Sequence, residues 1–552
     1  MKLKIFSICM LASFILCSCE GWLDVKPEGS PNDANFWKTD ADFSKAVIGI
    51  YGNMGLEETW GRDLFWEQGA SDDIFYKRTR SNAQMNLANL VPNGSEESSI
   101  KTIYYMLYSS MAICNNIIYQ GLKLDAPTEI IKNRIGEAYF MRAFTHFMIA
   151  YRYGRSDNGV PFDRYEDYDP YVTKIPEQRA SVMDNYRLII EDCQKASELL
   201  PWFSAYGTAD YGRATRQAAL ALMVKTYAYW AQYDPSQWEN IPAIVDRLET
   251  EGGRGLEENF ADVFKIANEW GKEYIWSVNS TGPTQAGSVF PGICLENKGW
   301  GIYNGWGNFA PTLELWAEYD ENDLRRPVTL MQYGDEFVFF GSKRKYYSDS
   351  DQECGFAIAK YMEPFTYGTI DPVTGAGVSN RISTNPDRPC TDLNVPIIRF
   401  AEMILFKAEA YIEMGRGAEA AKELNRLTCR AGLGDVYTDA TMKDLMHERR
   451  CELAAEFTDR VMDLKRWSVK YPDAKERLEA AKHGIKHVDR SNPNSPVDIE
   501  NGKTMVINGK TYEGVIEIHA AKQYNADKYC VLPYDPEEIV RGMGAIKQNP
   551  GY

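Results

Sequence analysis

Histidine is nearly missing from this 552-residue chain, with five in all, and none of the eleven cysteines forms a CxxC pair or stands at zinc-ligand spacing from a histidine. That composition argues against a structural metal site. Concentrated positive charge is missing too: 61 Lys and Arg face 78 Asp and Glu, a net of −17, and the longest basic run is Lys343-Arg344-Lys345. Nucleic-acid binding rests on a dense basic footprint that displaces counterions from phosphates, so that partner class is set aside. No Gly-rich loop leads into Gly-Lys-Ser/Thr, and no Gly-x-Ser-x-Gly turn occurs. Neither a phosphate cradle nor an α/β-hydrolase nucleophile turn is therefore encoded, and no residue pattern implies a cofactor. Beyond residue 18, no apolar run resembles a membrane span.

What the chain does have begins at its N-terminus. Lys2 and Lys4 precede an apolar run from Ile5 to Leu16, closed by Leu16-Cys17-Ser18-Cys19. An apolar stretch of about a dozen residues after a basic start is too short for a permanent transmembrane helix and has the form of a cleaved secretion signal. The lipobox ending predicts removal of residues 1–18 and acylation of Cys19, with each buried CH₂ contributing roughly 0.8 kcal/mol of membrane affinity. Losing Lys2 and Lys4 takes the net charge from −17 to −19. Cys114, Cys193, Cys294, Cys354, Cys390, Cys429, Cys451 and Cys530 are scattered through the remainder, and most are expected to act as small buried apolar residues.

Helical periodicity is frequent. Phe43, Ala46, Val47, Ile50 and Tyr51 share one face after the acids Asp40 and Asp42, and further helical patterns run over 100–120, 129–153, 183–200 and 215–232. Residues 400–414 and 418–429, with Gly415 between them, form a helix-turn-helix of tetratricopeptide-like spacing, and 442–467 extends the set. Strand signals are few: Tyr274 to Val278, Phe337 to Phe340, and Met505 to Ile507, which leads through the turn dipeptide Asn508-Gly509 into Thr511. The fold class expected is mainly α, built from helix pairs with a loop-rich remainder and a few short strands. The scaffold is placed at about 40–275 and 395–470, a loop-rich insert at about 279–399, and a C-terminal segment at 471–552.

Aromatic residues make up 13% of the chain, including 13 Trp and 34 Tyr, and many stand in Gly/Asn-bearing stretches without period. Two such stretches are prominent, 59–97 and 279–399, and irregular stretches of this length are usually functional. Catalytic signatures are weaker. His447-Glu448-Arg449-Arg450-Cys451 fails as a zinc-protease motif at its fifth position. It reads instead as a charged helix face on which Glu448, Arg449, Glu452, Asp459, Arg460 and Asp463 pair at helical spacing. Asp72 and Asp73 are an acid pair of the kind glycosidase chemistry uses, but sequence does not measure the carboxylate separation that chemistry needs.

Several segments carry a family resemblance. Trp22-Leu23-Asp24-Val25-Lys26-Pro27 and Asn35 to Phe43 resemble the opening of the SusD/RagB family of Bacteroidetes lipoproteins. Glu137 to Phe144, continuing through Tyr151-Arg152-Tyr153-Gly154 and Val160-Pro161, resembles that family's Arg-Ala-aromatic helix and the turn after it. Asn394 to Glu402, Lys407-Ala408-Glu409-Ala410 and Leu424-Asn425-Arg426 resemble its late helix pair. His447 to Leu453 with Asp463-Leu464-Lys465-Arg466-Trp467 resembles its Glu-Arg-Arg-x-Glu-Leu and Asp-Leu-x-Arg-Trp signature, and Leu532-Pro533 through Gln548 to Tyr552 resembles its terminus. The resemblance covers the mature chain with its segments in order. It implies an α/α superhelical scaffold of tetratricopeptide-like helix pairs with a loop-rich ligand-binding face. It also implies a lipid anchor in the outer membrane with exposure at the cell surface, and a SusC-like TonB-dependent transporter as partner. The ligand-contacting loops of such proteins vary, so their residues are inferred from type and position.

The expected function is capture of an oligosaccharide or polysaccharide without catalysis, and its delivery to that transporter. Sugar rings present weakly apolar faces and a rim of hydroxyls, which suits Trp and Tyr faces with polar edges. Trp60, Trp66, Trp300, Tyr303 and Trp306 are the candidate faces; Asp72, Asp73, Arg80, Asn82 and Asn304 are the candidate edges. The loops 60–80 and 300–306 are expected to converge on one exposed surface. A peptide ligand and a surface glycoside hydrolase remain the alternatives.

Overall fold

A computed structural model gives the fold and describes residues 36–77, 81–94, 100–167, 174–280, 282, 287–348, 353–385 and 387–552. The signal segment, Cys19 and Arg80 lie outside the described residues.

Helices dominate. In chain order the longer ones are α1 Asp40–Met54, α2 Lys101–Leu122, α3 Glu129–Tyr153, α4 Val182–Leu199, α5 Arg216–Trp230, α6 Ile241–Thr250, α7 Phe400–Glu413, α8 Gly417–Arg430, α9 Met442–Leu453 and α10 Arg460–Ser468. Their starts are written in side chains. Thr39, rather than the acids after it, caps α1, and Asp42 closes a capping box with it; Thr128, Ser181 and Thr215 cap α3, α4 and α5 through their hydroxyls. From α2 to α6 each helix packs on the next, as α7 does on α8, and α7 also lies against α5, α6 and α9, so the early and late arrays share one core. The scaffold is thus the expected series of tetratricopeptide-like pairs.

The expected helix over 442–467 is broken in two. Ala455 takes a left-handed conformation (φ 64°), and its carbonyl accepts from the Tyr361 hydroxyl at 3.0 Å. The next residue, Glu456, turns inward to Arg399 at 2.7 Å and Lys360 at 2.8 Å. Buried ion pairing interrupts the helix here against its own periodicity.

The strand expected at Tyr274–Val278 pairs antiparallel with Val395–Arg399, joining the two flanks of the insert at its base. The Asn508-Gly509 hairpin forms as expected: both residues have positive φ (48° and 76°), as a tight two-residue turn requires, and Lys503–Ile507 pairs with Lys510–His519. Lys482–Ile485 adds a third strand on the other side of Lys510–His519.

Candidate ligand-binding site

The insert builds a small hydrophobic cluster of its own, with Leu295, Ile302, Tyr303, Phe339, Phe340, Phe365 and Ile382 buried and Trp300 packed at its edge. On its flank opens a cleft of about 450 Å³ lined by Lys298, Gly301 to Asn304, Ala376 to Val378 and Ser383 to Asn385. The loop that forms one wall is conformationally unusual. Lys298, Gly299, Trp300 and Gly301 all have positive φ (57°, 45°, 53° and 78°), a left-handed turn in which two of the four residues carry side chains. Each such non-glycine residue costs on the order of 1–2 kcal/mol, and strain of this kind concentrates where a site must be held in one shape. The Lys298 N–H closes the loop on the Gly305 carbonyl at 2.9 Å, the Trp300 indole donates to the Tyr347 carbonyl at 2.8 Å, and the Gly377 N–H ties the opposite wall to the Ile302 carbonyl at 2.8 Å.

Tyr303 gives the cleft its chemistry. Its side chain is buried (8% exposed), burial pushes its phenol up from the ordinary tyrosine value, and its hydroxyl has no hydrogen-bond partner among the described residues. A buried hydroxyl normally finds a partner; this one has none among the described residues and lies closed to solvent behind the cleft surface, so a ligand reaches it only if the wall shifts. Asn304 is exposed at the rim, where Ser383, Thr384 and Asn385 add short polar groups. Two positions along, Trp306 is half-buried beneath the Arg62 guanidinium, 5.7 Å from its ring, and Arg62 is held by Glu57 at 2.6 Å. Such an arrangement offers aromatic and hydroxyl contacts to a neutral polyhydroxyl ligand; the cleft lining includes neither carboxylate nor imidazole.

The loops 60–80 and 300–306 are expected from sequence to share one exposed surface; among the described residues, 60–77 instead meets this part of the chain through the core. Residues 57–70 are two short helices, and every residue from Asp63 to Ala70 is buried. Ile74–Tyr76 then pairs with Phe309–Pro311. Trp60 (4% exposed) stacks on Phe144 with centroids 5.3 Å apart. Trp66 (1% exposed) is wedged between Tyr76 and Phe309 while its indole donates to Asp63 at 3.0 Å. Both tryptophans are therefore core residues, not a sugar platform. Segments buried on all sides show no period, which is why this one reads as a loop.

Asp72 and Asp73 are likewise buried and committed. Arg460 grips Asp72 with two bonds of 3.0 Å, and Arg450 donates to Asp73 at 2.6 Å and to Glu318 at 2.7 Å. Burial alone would raise Asp72, but Arg450 and Arg460 hold it well below the usual carboxylate range. Neither acid is free to act as a ligand edge or as half of a hydrolytic pair. Asn82 is exposed in the first turn of the short helix Asn82–Ala88 and does not line the cleft.

The charged motif 447–453 is also a correction: these groups point inward. Glu448 pairs with Arg325 at 2.8 Å, Arg449 with Asp463 at 2.6 Å and Glu402 at 3.1 Å, and Glu452 with Arg399 at 2.7 Å and with Arg430. Arg399 further reaches Glu273 at 2.6 Å. Only Arg449 with Asp463 keeps the pairing read from sequence; the rest join α9 to distant segments. His447 sits at the edge with its Nδ1 2.9 Å from Glu318.

Arg62, Lys298 and the wall 376–385 escaped the sequence reading. Ala, Gly, Val, Ser, Thr and Asn carry no aromatic or charge signature; the one available cue was a polar Ser383-Thr384-Asn385 run inside the insert.

Residues 272–552 match the SusD family, and residues 21–228 match a family described as starch-binding associating with outer membrane. A SusD-like protein of Formosa agariphila is 24% identical over 100% of both chains, and one of Bacteroides ovatus is 23% identical over 86% of this chain and 84% of its own. In three dimensions the chain resembles a SusD-like protein from Bacteroides fragilis, with a TM-score of 0.74 at 20% identity over 95% of this chain and 99% of that one. It also resembles the surface glycan-binding protein A from Bacteroides thetaiotaomicron in complex with laminarihexaose, with a TM-score of 0.66 at 18% identity over 93% and 100%. The matches run through the scaffold and its buried charge motif as well as the insert, and the chain belongs to the SusD family.

Proposed function

We propose that this protein is a non-enzymatic glycan-binding lipoprotein of the outer membrane, which captures an oligosaccharide in the cleft beside Trp300–Trp306 and delivers it to a SusC-like TonB-dependent transporter. The observation that carries the reading is the cleft itself, an open space of about 450 Å³ against a strained aromatic loop, with the unpartnered Tyr303 hydroxyl in its wall. That size lies within the range of small-molecule sites. The relatives' glycan-binding and starch-binding descriptions supply the ligand class. A binding role is further supported by Asp72 and Asp73, the acid pair open to a hydrolase, which are both neutralised by arginines. In this reading Tyr303 and Asn304 meet the ligand from the cleft lining, and Trp300 and Trp306, on the same loop but outside that lining, flank it.

Residues 1–18 are the removed signal and Cys19 the acylated N-terminus. Mass spectrometry of the mature N-terminus tests this, and a Cys19→Ala protein that still partitions fully with membranes refutes it. Pull-down from outer membranes is expected to recover a TonB-dependent receptor. For the ligand, titration with a panel of hexasaccharides that includes laminarihexaose is expected to show binding without product. Asn304→Ala and Trp306→Ala are expected to weaken the best ligand by about 1–3 kcal/mol each while the protein stays folded. Binding unchanged in both variants places the site elsewhere, and accumulating product restores the hydrolase.

A further inference from the structure

A second cleft, of about 430 Å³, lies where the three-stranded C-terminal sheet meets the insert. Phe75, Glu353, Lys486, His487, Val488, Arg490 and residues 516–518 line it. It shares no lining residue with the cleft beside Trp300. The two are separated by packed rings: Tyr303 meets Phe340, Phe340 meets Phe339, Phe339 meets Trp300, Trp300 meets Tyr346, and Tyr346 meets Tyr333. Tyr333 in turn stacks on His487, with centroids 3.7 Å apart and planes 12° from parallel.

This cleft is built rather than incidental. Its imidazole is fixed twice, by the Tyr333 ring and by Glu353, which takes Nδ1 at 2.9 Å; Glu353 and His487 are each 8% exposed. Tyr333 is itself held by its hydroxyl, which donates to the Asp489 and Arg490 carbonyls at 2.9 and 2.6 Å. Phe75, Ile516, Ile518 and Val488 supply apolar surface, and Val488, 64% exposed, stands at the rim.

We infer that this cleft is a second, separate binding site, for a neutral saccharide. The charges on its lining balance, Lys486 and Arg490 against Glu353 and Glu517, which favours a neutral polyhydroxyl ligand over an ion. An extended peptide would look for free backbone groups. Residues 516–518 pair with Lys482–Ile485 on one side only, since Lys503–Ile507 pairs no further than Val515, so a peptide binding along their other edge is an outcome that titration with a saccharide alone must separate. The saccharide reading rests on the side chains of the lining: a flat, fixed imidazole, an apolar floor and a polar rim, the combination that suits a sugar ring. A glycan long enough to reach both clefts would make its second contact intramolecularly, and affinity would then rise with chain length.

The inference rests on the glycan-binding reading above, and one experiment separates the two. Full-length protein is titrated with the panel's best hexasaccharide, in wild type, in Val488→Trp, which fills the second cleft from an exposed position, in His487→Ala, and in Asn304→Ala. Thermal melting confirms folding in each. Two-site binding is expected in wild type; Val488→Trp and His487→Ala should weaken one site by about tenfold or more and Asn304→Ala the other. If His487→Ala fails to fold, Val488→Trp decides alone. One-site binding that ignores Val488→Trp but responds to Asn304→Ala overturns the second site and leaves the first. No binding by any glycan of the panel overturns the glycan reading, and this inference with it.

Discussion

In the late helices the charged side chains are inside, whereas around the insert's own ring cluster they are outside. Arg449, Arg450, Glu448 and Glu452 of α9 are all buried, each with partners from other segments, among them Arg325 of the insert and Arg399 at its base. Lys298, Glu336, Lys343 and Lys345 of the insert stand in solvent around a small cluster of rings. The first region is held by directional bonds between distant segments, which fix a single geometry and fail when one partner is lost. The second is held by non-directional packing, which leaves the cleft walls open to change. A family that keeps one scaffold while varying its ligands has use for this division.

The comparison breaks most sharply at Arg399. Its guanidinium satisfies Glu273, Glu452 and Glu456 at once, so Arg399→Ala leaves three buried carboxylates short of a partner. A loss of about 3–5 kcal/mol is expected from denaturant unfolding, with ligand affinity unchanged in whatever fraction stays folded. Trp66→Ala is expected to fall in the same range, about 3–5 kcal/mol, through the cavity it leaves rather than through lost ligand contact. If Trp66→Ala folds as stably as wild type but loses ligand, the sequence reading of this residue was right and its assignment to the core is wrong.

Acid should separate the regions next. Burial works against ionisation of Asp72, Glu452, Glu456 and Asp463, yet their arginine partners and Lys360 hold all four below their ordinary values. Groups with lowered folded-state pKa values contribute their full stability above the unfolded values of 3.8 and 4.5 and lose it as pH falls through the folded ones. Through these four groups unfolding free energy is expected to drop below about pH 4, while Glu67, Asp73 and Glu269, whose carboxyls burial raises, act in the opposite direction at higher pH. Constant stability down to about pH 3 would mean that the network carries little of the fold.

How much of this was visible in the sequence differs between the regions for physical reasons. Helices with one wet face, such as α4 and α8, announce themselves by period, and the Asn508-Gly509 turn by its tolerance of positive φ. Burial on every side erases that signal, so Asp63–Ala70 reads as a loop, and the charges of α9 read as solvated because nothing local reveals Arg325 or Arg399 as partners. Of the cleft lining, Tyr303 and Asn304 were singled out by residue type, while Trp300 and Trp306, singled out with them, stand beside it and do not line it. The facing wall at 376–378 was invisible, since it is brought there by one backbone bond from Gly377 to Ile302.

A milder test lies in the satellite cluster. Trp300 is half-buried against Phe337 and Phe339 and anchors its loop through one indole hydrogen bond. Trp300→Ala is expected to cost about 1–3 kcal/mol of stability, less than a core tryptophan, and also to weaken binding because the left-handed turn loses its anchor. Equal losses for Trp300→Ala and Trp66→Ala would erase the distinction between satellite and core.

The smallest expected effect is the most selective. Tyr303→Phe removes only a hydroxyl that makes no hydrogen bond among the described residues and keeps the ring against Phe340 and Phe365. Deleting a buried polar group that has no partner relieves its desolvation penalty, so the melting temperature should stay level or rise slightly. If a bound sugar supplies the missing partner, the same deletion costs one hydrogen bond, about 0.5–1.5 kcal/mol of affinity. Stability and binding then move in opposite directions, which neither general loosening of the loop nor a purely structural tyrosine would produce. A Tyr303→Phe protein that is less stable and binds as tightly as wild type would return this hydroxyl to the scaffold.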